Sequence, residues 1–284
     1  MVHQFYNKRT DALFRMIYGE EILDRNFYGK DQKEKLLTIA WNRGHEQIMI
    51  IDNLPYKFPA NTVHCLMTNE NFYFENAQDI VVWQFSREFY CIVDHDKEVS
   101  CVGFIFYGSP QKMFIELFSR DQHQIDHIRQ MLIDEFETDD HIQGEMLQVI
   151  LKRLIIIVTR LAKAQYIDED KLPEEKLDIV RKYNFLVETH YKNEHQVSFY
   201  ADQLCKSPKT LSNLFALYNN KSPVTIIQER IAQEAVRLFY YTDKTAKEVA
   251  YELGFENASH FGKFFKRVTG QTITELKTQK PVTK

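Results

Sequence analysis

The sequence predicts an α+β chain of two domains: a front half of β-strands with a helical extension, and a rear third that is all-α and internally duplicated. Three observations carry this. Between Leu36 and Leu117, runs of Ile, Val, Phe and Tyr of strand length alternate with turn residues. From Ile125 the apolar spacing becomes that of a helix. From Gln196 onward, a helix, a tight turn and a second helix occur twice, about 49 residues apart. With 44% apolar and 13% aromatic residues in a chain of 284, two well-filled cores are expected.

The strand runs are LLTIAW, QIMIIDN, TVHCLM, NFYFEN, DIVVWQF, EFYCIV, SCVGFIFYG and KMFIELF. Close spacing without intervening helices predicts a small β-barrel or jelly roll over residues 1–120. Trp41, Phe72, Phe74, Trp83, Phe85, Phe104 and Phe106 either fill its core or line a pocket for an apolar or aromatic effector. His45, His64 and His95 form no H-x-H cluster with the Glu residues, so neither a metal nor any other cofactor is expected. Cys65, Cys91, Cys101 and Cys205 are scattered without a C-x-x-C pair and read as free thiols in a cytoplasmic protein. The first ten residues lack the apolar core of a signal peptide. The run Leu154 to Val158 is far below the roughly 20 residues of a membrane span, so no membrane partner is expected.

Residues 121–165 form the helical extension. Ile125, Ile128, Leu132 and Phe136 mark one amphipathic helix. Leu147, Ile150, Leu151, Leu154, Val158 and Leu161 mark a second, whose nearly heptad spacing suits either a homodimer seam or packing against the barrel. The acidic stretch YIDEDKLPEEK, with Pro173 and no apolar period, places a linker at 166–175.

In the rear domain, residues 176–284, Ala201 and Leu204 align with Ala250 and Leu253 at an offset of 49. Past the turn, Leu211, Leu214 and Phe215 align with Phe261, Phe264 and Phe265 at an offset of 50, so the one-residue slip falls in the turn. The small alanines sit where a second helix must cross closely. Ser207-Pro208 and Ser222-Pro223 each supply an N-cap followed by proline at the first helical position. Thr245 with Glu248 and Thr272 with Glu275 make capping boxes, Asn257 is a further N-cap, and Gly254 marks the sharp turn. A central helix from Pro223 to Phe239, with Ile226, Ile227, Ile231, Ala235 and Leu238 on one side, is expected to fix the two copies relative to each other. Charge divides with the domains: from Lys176 on there are 17 basic and 11 acidic residues, leaving 19 against 29 before it.

The stretches TAKEVAYELGFENASHFGKFFKRVTGQTITELK and FYADQLCKSPKTLSNLFALYNNKSP resemble the signature segment and the first helix-turn-helix of the AraC/XylS family of bacterial transcription regulators. The resemblance spans Lys176 to Lys277. Asn219-Asn220, Gly262 and Ile273 depart from the family's usual residues. It implies that double-stranded DNA is the partner, with recognition helices at 207–218 and 257–267 placed in successive major grooves. It further implies a cupin-like front barrel that binds an effector or dimerises, with RNA polymerase as a further partner. By position in the motif, Lys209, Thr210, Ser212, Asn213, Ala258, Ser259, Gly262 and Lys263 face the bases. Asn213 suits adenine and Lys263 guanine. Lys206, Lys244, Lys247, Lys266 and Arg267 suit phosphates, which position the protein without specifying sequence. His260, beside the packed phenylalanines, reads as a partly buried structural histidine. Two rival readings are a metal-dependent or small-molecule-binding cupin-type enzyme with a helical appendage, and an adaptor whose helical domain binds protein. Turnover or bound metal would bring forward the first. Affinity insensitive to charge reversal at Lys209 and Lys263 would bring forward the second.

Overall fold

The chain begins with an antiparallel hairpin of β1 (Val2–Asn7) and β2 (Ala12–Tyr18), turned at Asp11 with φ +60°. Among the described residues eight further strands follow: β3 (Asp24–Arg25), β4 (Leu36–Asn42), β5 (Gln47–Ile51), β6 (Leu54–Phe58), β7 (Thr62–Leu66), β8 (Phe72–Phe74), β9 (Ile80–Ser86) and β10 (Ile115–Glu116). The computed structural model describes residues 1–28, 31, 34–91, 104–107, 112–167, 174–218 and 221–278. It divides into two units, Met1–Asp168 and Glu169–Lys284. Most of the expected linker lies outside the described residues, as do His95, Cys101 and Asn219-Asn220.

The strands of the first unit make two antiparallel sheets rather than the expected closed barrel. One has the order β1-β2-β9-β4-β7-β10, the other β3-β8-β5-β6. The reason shows after β9, where EFYCIV was expected to continue as a strand. Ser86 takes the backbone N–H groups of Phe89 and Tyr90 on its carbonyl and that of Phe89 also on its hydroxyl, so the chain turns out of the sheet. In the SCVGFIFYG run, also expected as a strand, the described part, Phe104–Tyr107, is a helical turn, α1. The hairpin at the N-terminus, by contrast, was not among the expected strands. A two-residue turn at Asp52 and Asn53, both with positive φ, joins β5 to β6.

The sheets pack face to face. Ala40, Leu66, Ile80 and Val82 of the larger sheet meet Met49, Ile51, Phe58, Phe72 and Phe74 of the smaller one. Successive side chains of a strand point to opposite faces, so Trp41 and Trp83, next to Ala40 and Val82, lie on the far side of the larger sheet. Two helices cover that side: α2 (Ser119–Phe136) and α3 (Gln143–Tyr166). The Phe136 ring lies 5.4 Å from Phe14, and a side-chain atom at Gly144 would run into Phe5. Hence β4 and β9 are buried along their whole length, with helices on one face and a sheet on the other.

This double covering decides two of the expectations. The seven aromatic residues do not face one space: Phe72 and Phe74 lie between the sheets, whereas Trp41, Trp83 and Phe85 lie under the helices, with Phe106 edge-on to Phe85 at 6.2 Å. The α3 stripe turns inward as well. Leu147, Ile150, Leu151, Leu154 and Val158 are buried within the unit, and Leu161 is half-buried.

Two buried polar side chains of this unit bind backbone carbonyls. Arg25 donates to the carbonyls of Leu36, Met67 and Glu70; burial lowers its guanidinium to about 10 despite the nearby Glu70. His64 bonds through Nδ1 to the Met113 carbonyl at 2.7 Å, and burial lowers its imidazole to about 4. Among the described residues no group of three or more His, Cys, Asp or Glu is arranged to hold a metal ion. Nor is any described helix long and apolar enough to cross a membrane.

The second unit is helical: α4 (Glu174–His190), α5 (Val197–Gln203), α6 (Pro208–Tyr218), α7 (Pro223–Tyr241), α8 (Ala246–Glu252), α9 (Ala258–Thr269) and α10 (Ile273–Thr278). The long α7 packs against α4, α6, α8, α9 and α10. Ser222 caps it through the Thr225 N–H, with Pro223 at its first position. Arg230, Glu234 and Arg237 are buried among its apolar side chains.

Candidate nucleic-acid interface

The two copies make the same turn with the same hydrogen bonds. Cys205 has φ +52° and Gly254 φ +76°. In the first copy Cys205 N–H donates to Asp202 O at 3.0 Å and Lys206 N–H to Ala201 O at 2.9 Å. In the second, Gly254 N–H donates to Tyr251 O at 3.1 Å and Phe255 N–H to Ala250 O at 2.9 Å. These are the reverse bonds that close a helix end through a left-handed residue. The duplication therefore extends to single backbone groups, and the extra residue of the second copy falls at Glu256, just after this motif.

Gly254 has a second constraint. A Cβ there would stand 2.2 Å from the backbone carbonyl oxygen of Lys192. We expect Gly254→Ala to destabilise the second unit by about 1–3 kcal/mol or more, since strain at positive φ adds to a contact with backbone that cannot rotate away. Thermal unfolding of the variant checks this; an unchanged melting temperature would show that the Lys192 carbonyl yields.

Beyond each turn a capped helix begins. Ser207 Oγ accepts from Thr210 N–H at 3.0 Å, and Asn257 Oδ1 accepts from His260 N–H at 2.7 Å. The inner faces of α6 and α9 are buried through Leu211, Leu214 and Phe215, and through Phe261 and Phe265. Phe264 is half-buried against Phe255, with ring centroids 5.0 Å apart. In α8, Thr245 and Glu248 bond reciprocally, and the Thr245 N–H holds the Glu248 carboxyl below its ordinary range.

The outer faces hold most of the expected set. Lys209, Thr210, Ser212 and Asn213 are exposed on α6; on α9 Ser259 and Lys263 are exposed and Ala258 and Gly262 half-exposed. Ser212 donates its hydroxyl to Pro208 O at 2.9 Å, within its own helix. A Cβ at Gly262 would meet nothing within 4 Å, so packing inside this chain does not require the glycine. Lys206, Lys247, Lys266 and Arg267 are exposed.

One position is paired within the chain and one differs from expectation. Lys244 is bound, with Lys192, to the Glu252 carboxylate; burial raises that carboxyl, but the two ammonium groups outweigh it and hold it low. Two lysines on one carboxylate keep a net positive charge at this place. His260 is exposed, not packed among the phenylalanines. It lies three residues before Lys263 and so shares its helix face, a spacing that was legible in the sequence. Tyr251 is 55% exposed, with the Lys247 ammonium 6.0 Å from its ring centroid.

A helical unit repeated with this turn and this capping defines a duplicated helix-turn-helix domain. Residues 200–279 match a family model described as a helix-turn-helix domain, in keeping with the AraC/XylS resemblance of the sequence. The chain is 21% identical over 160 residues to the HTH-type transcriptional activator RhaS of Escherichia fergusonii, and it spans about half of that relative's length, 55%. Among solved structures, it is similar to ToxT from Vibrio cholerae, with TM-score 0.41, 14% identity and 99% of this chain against 97% of that one. It is also similar to the C-terminal domain of AraT, a response regulator from Geobacillus stearothermophilus, with TM-score 0.36, 20% identity and 37% of this chain against 88% of that one.

Proposed function

We propose that this chain is a sequence-specific transcription regulator that binds double-stranded DNA through α6 and α9, each entering a major groove. The observation that carries the reading is the repeated turn, which presents two capped helices with apolar inner faces and polar outer ones. Lys209, Thr210, Ser212, Asn213, Ala258, Ser259, Gly262 and Lys263 form the base-facing set in this reading. Lys206, Lys244, Lys247, Lys266 and Arg267 meet phosphates. The α6 face offers more hydrogen-bonding side chains than α9, where Ala258 and Gly262 offer none, so α6 carries the larger share of sequence readout.

The first unit supplies regulation, by a small-molecule effector, by pairing with a second copy, or both; RNA polymerase is the further partner. Met146, Val149 and Tyr166 are apolar side chains that α3 leaves exposed, so a homodimer through this helix uses such residues and not the buried stripe. Sedimentation of the full chain as a monomer at tens of micromolar, roughly the ordinary range of such contacts, would remove the dimer from the reading.

Selection of binding sites from random duplex DNA with the full chain tests the whole. The expected result is an enriched motif with two patches about 34 Å apart along the duplex, and affinity that falls steeply with salt. A chain that folds yet enriches no sequence would overturn it.

A further inference from the structure

Of the buried polar side chains, those on the helix-covered face of the larger sheet stand out by what they lack. Trp41 is 2% exposed and Trp83 is fully buried, and neither indole Nε1–H has a hydrogen-bond partner among the described residues. Thr159 of α3, 5% exposed, likewise has no partner there for its hydroxyl, even at the carbonyl one turn back that a helical threonine ordinarily uses. Buried indole N–H groups nearly always find an acceptor, and leaving one unpaired costs about 1–3 kcal/mol. Two such donors lie side by side. The indoles are parallel to within 10°, with centroids 6.5 Å apart, on the two central strands of the sheet.

The surroundings specify what the donors are for. Ile39 and Phe85 on the same face are fully buried, and Phe104 and Phe106 of α1 are buried as well, with Phe106 against Phe85. The charged group at the edge is Arg43, whose guanidinium lies 5.0 Å from the Trp41 ring centroid. It is paired with Asp126 at 3.4 Å, and Asp126 also binds Arg129 at 2.9 Å. That pair stands at the rim; the buried side chains named on this face, Ile39, Phe85, Phe104 and Phe106, carry no charge, so the chemistry favours an uncharged, largely apolar molecule.

We propose that this layer binds a small, uncharged, largely apolar effector whose acceptor oxygen takes the indole N–H groups of Trp41 and Trp83. The ligand class is that of aromatic ketones, esters and lactones. The site rests on the reading of the first unit as regulatory, and it lies under the helices, not between the sheets.

The chain has only two tryptophans, so two indole N–H resonances report on the site from the whole protein. The test is a titration of the 15N-labelled full chain with acetophenone, and in parallel with ethylbenzene, which keeps the ring and the size but lacks the oxygen. Acetophenone is expected to move at least one indole proton downfield in a saturable manner that ethylbenzene does not reproduce. Trp83→Phe is expected to weaken acetophenone binding, read at the Trp41 resonance, about tenfold, as loss of one hydrogen bond of ordinary strength does. Resonances unmoved by acetophenone, or moved equally by ethylbenzene, overturn the proposal, and the wild-type titration decides it even where the variant fails to fold. DNA affinity of the same sample is measured separately, so a missing shift with intact DNA binding counts against the effector site alone.

Discussion

Arg230→Ala is expected to destabilise the second unit by about 3–5 kcal/mol, enough to unfold much of it at ambient temperature. Arg230 is buried on α7, donates to Glu188 of α4 at 2.6 Å and to Glu234 one turn on at 3.1 Å, and lies 3.9 Å from the Tyr191 ring centroid. Burial alone would lower its guanidinium; Glu188, Tyr191 and Glu234 reverse that and raise it, so the group stays charged. Removing the cation takes one of the positive charges away from the buried Glu234, which also faces Arg237 at 3.5 Å. Breaking such a pair is costly because one charge remains out of water. Denaturant unfolding of the wild type and the variant gives the measurement. A loss below about 1 kcal/mol would mean that water reaches the site and that the network does not tie α4 to α7.

Reversing the charge at Lys209 and Lys263 together is expected to weaken binding to a selected DNA site by about 100-fold or more at physiological salt, with no loss of helicity. One lysine lies on the exposed face of each recognition helix. Each base contact of this kind contributes about 1–3 kcal/mol, and a carboxylate in its place adds repulsion from the groove. The salt dependence separates roles. Lys266→Ala should lower the slope of log affinity against log salt by about 0.9 and weaken all sequences alike. Asn213→Ala should leave the slope unchanged and relax the preference at one base pair. Binding indifferent to the double reversal would favour the adaptor reading, in which the helical domain meets protein.

The second unit was the more legible half because its signals are local. A serine or asparagine before a helix, a threonine three residues before a glutamate, and a glycine at a turn act through bonds spanning at most a few residues, and here they form as expected at Ser207, Asn257, Thr245 and Thr272. Cys205 hid the first turn, because a cysteine seldom adopts positive φ; only its alignment with Gly254 marks it. His260 was misjudged for a related reason. Whether a side chain is packed or paired depends on groups far off in sequence, as the Glu252 carboxylate shared by Lys192 and Lys244 shows.

The first unit shows the limit of a strand pattern. Alternating apolar residues state that a strand has a buried face, and a strand buried on both faces states only that it is apolar throughout, as in DIVVWQF. The sequence by itself therefore determined the order of β-rich and helical halves, the duplicated turn and the residues of its outer face. Tertiary structure alone decided that the sheets stay open, that α3 spends its apolar stripe on its own unit, and that the aromatic residues divide between two layers. The physical reason is that hydrogen bonds near in sequence are fixed by residue type. Which face of a sheet meets which neighbour is fixed by contacts between segments far apart, and a buried side chain carries no mark of what buries it.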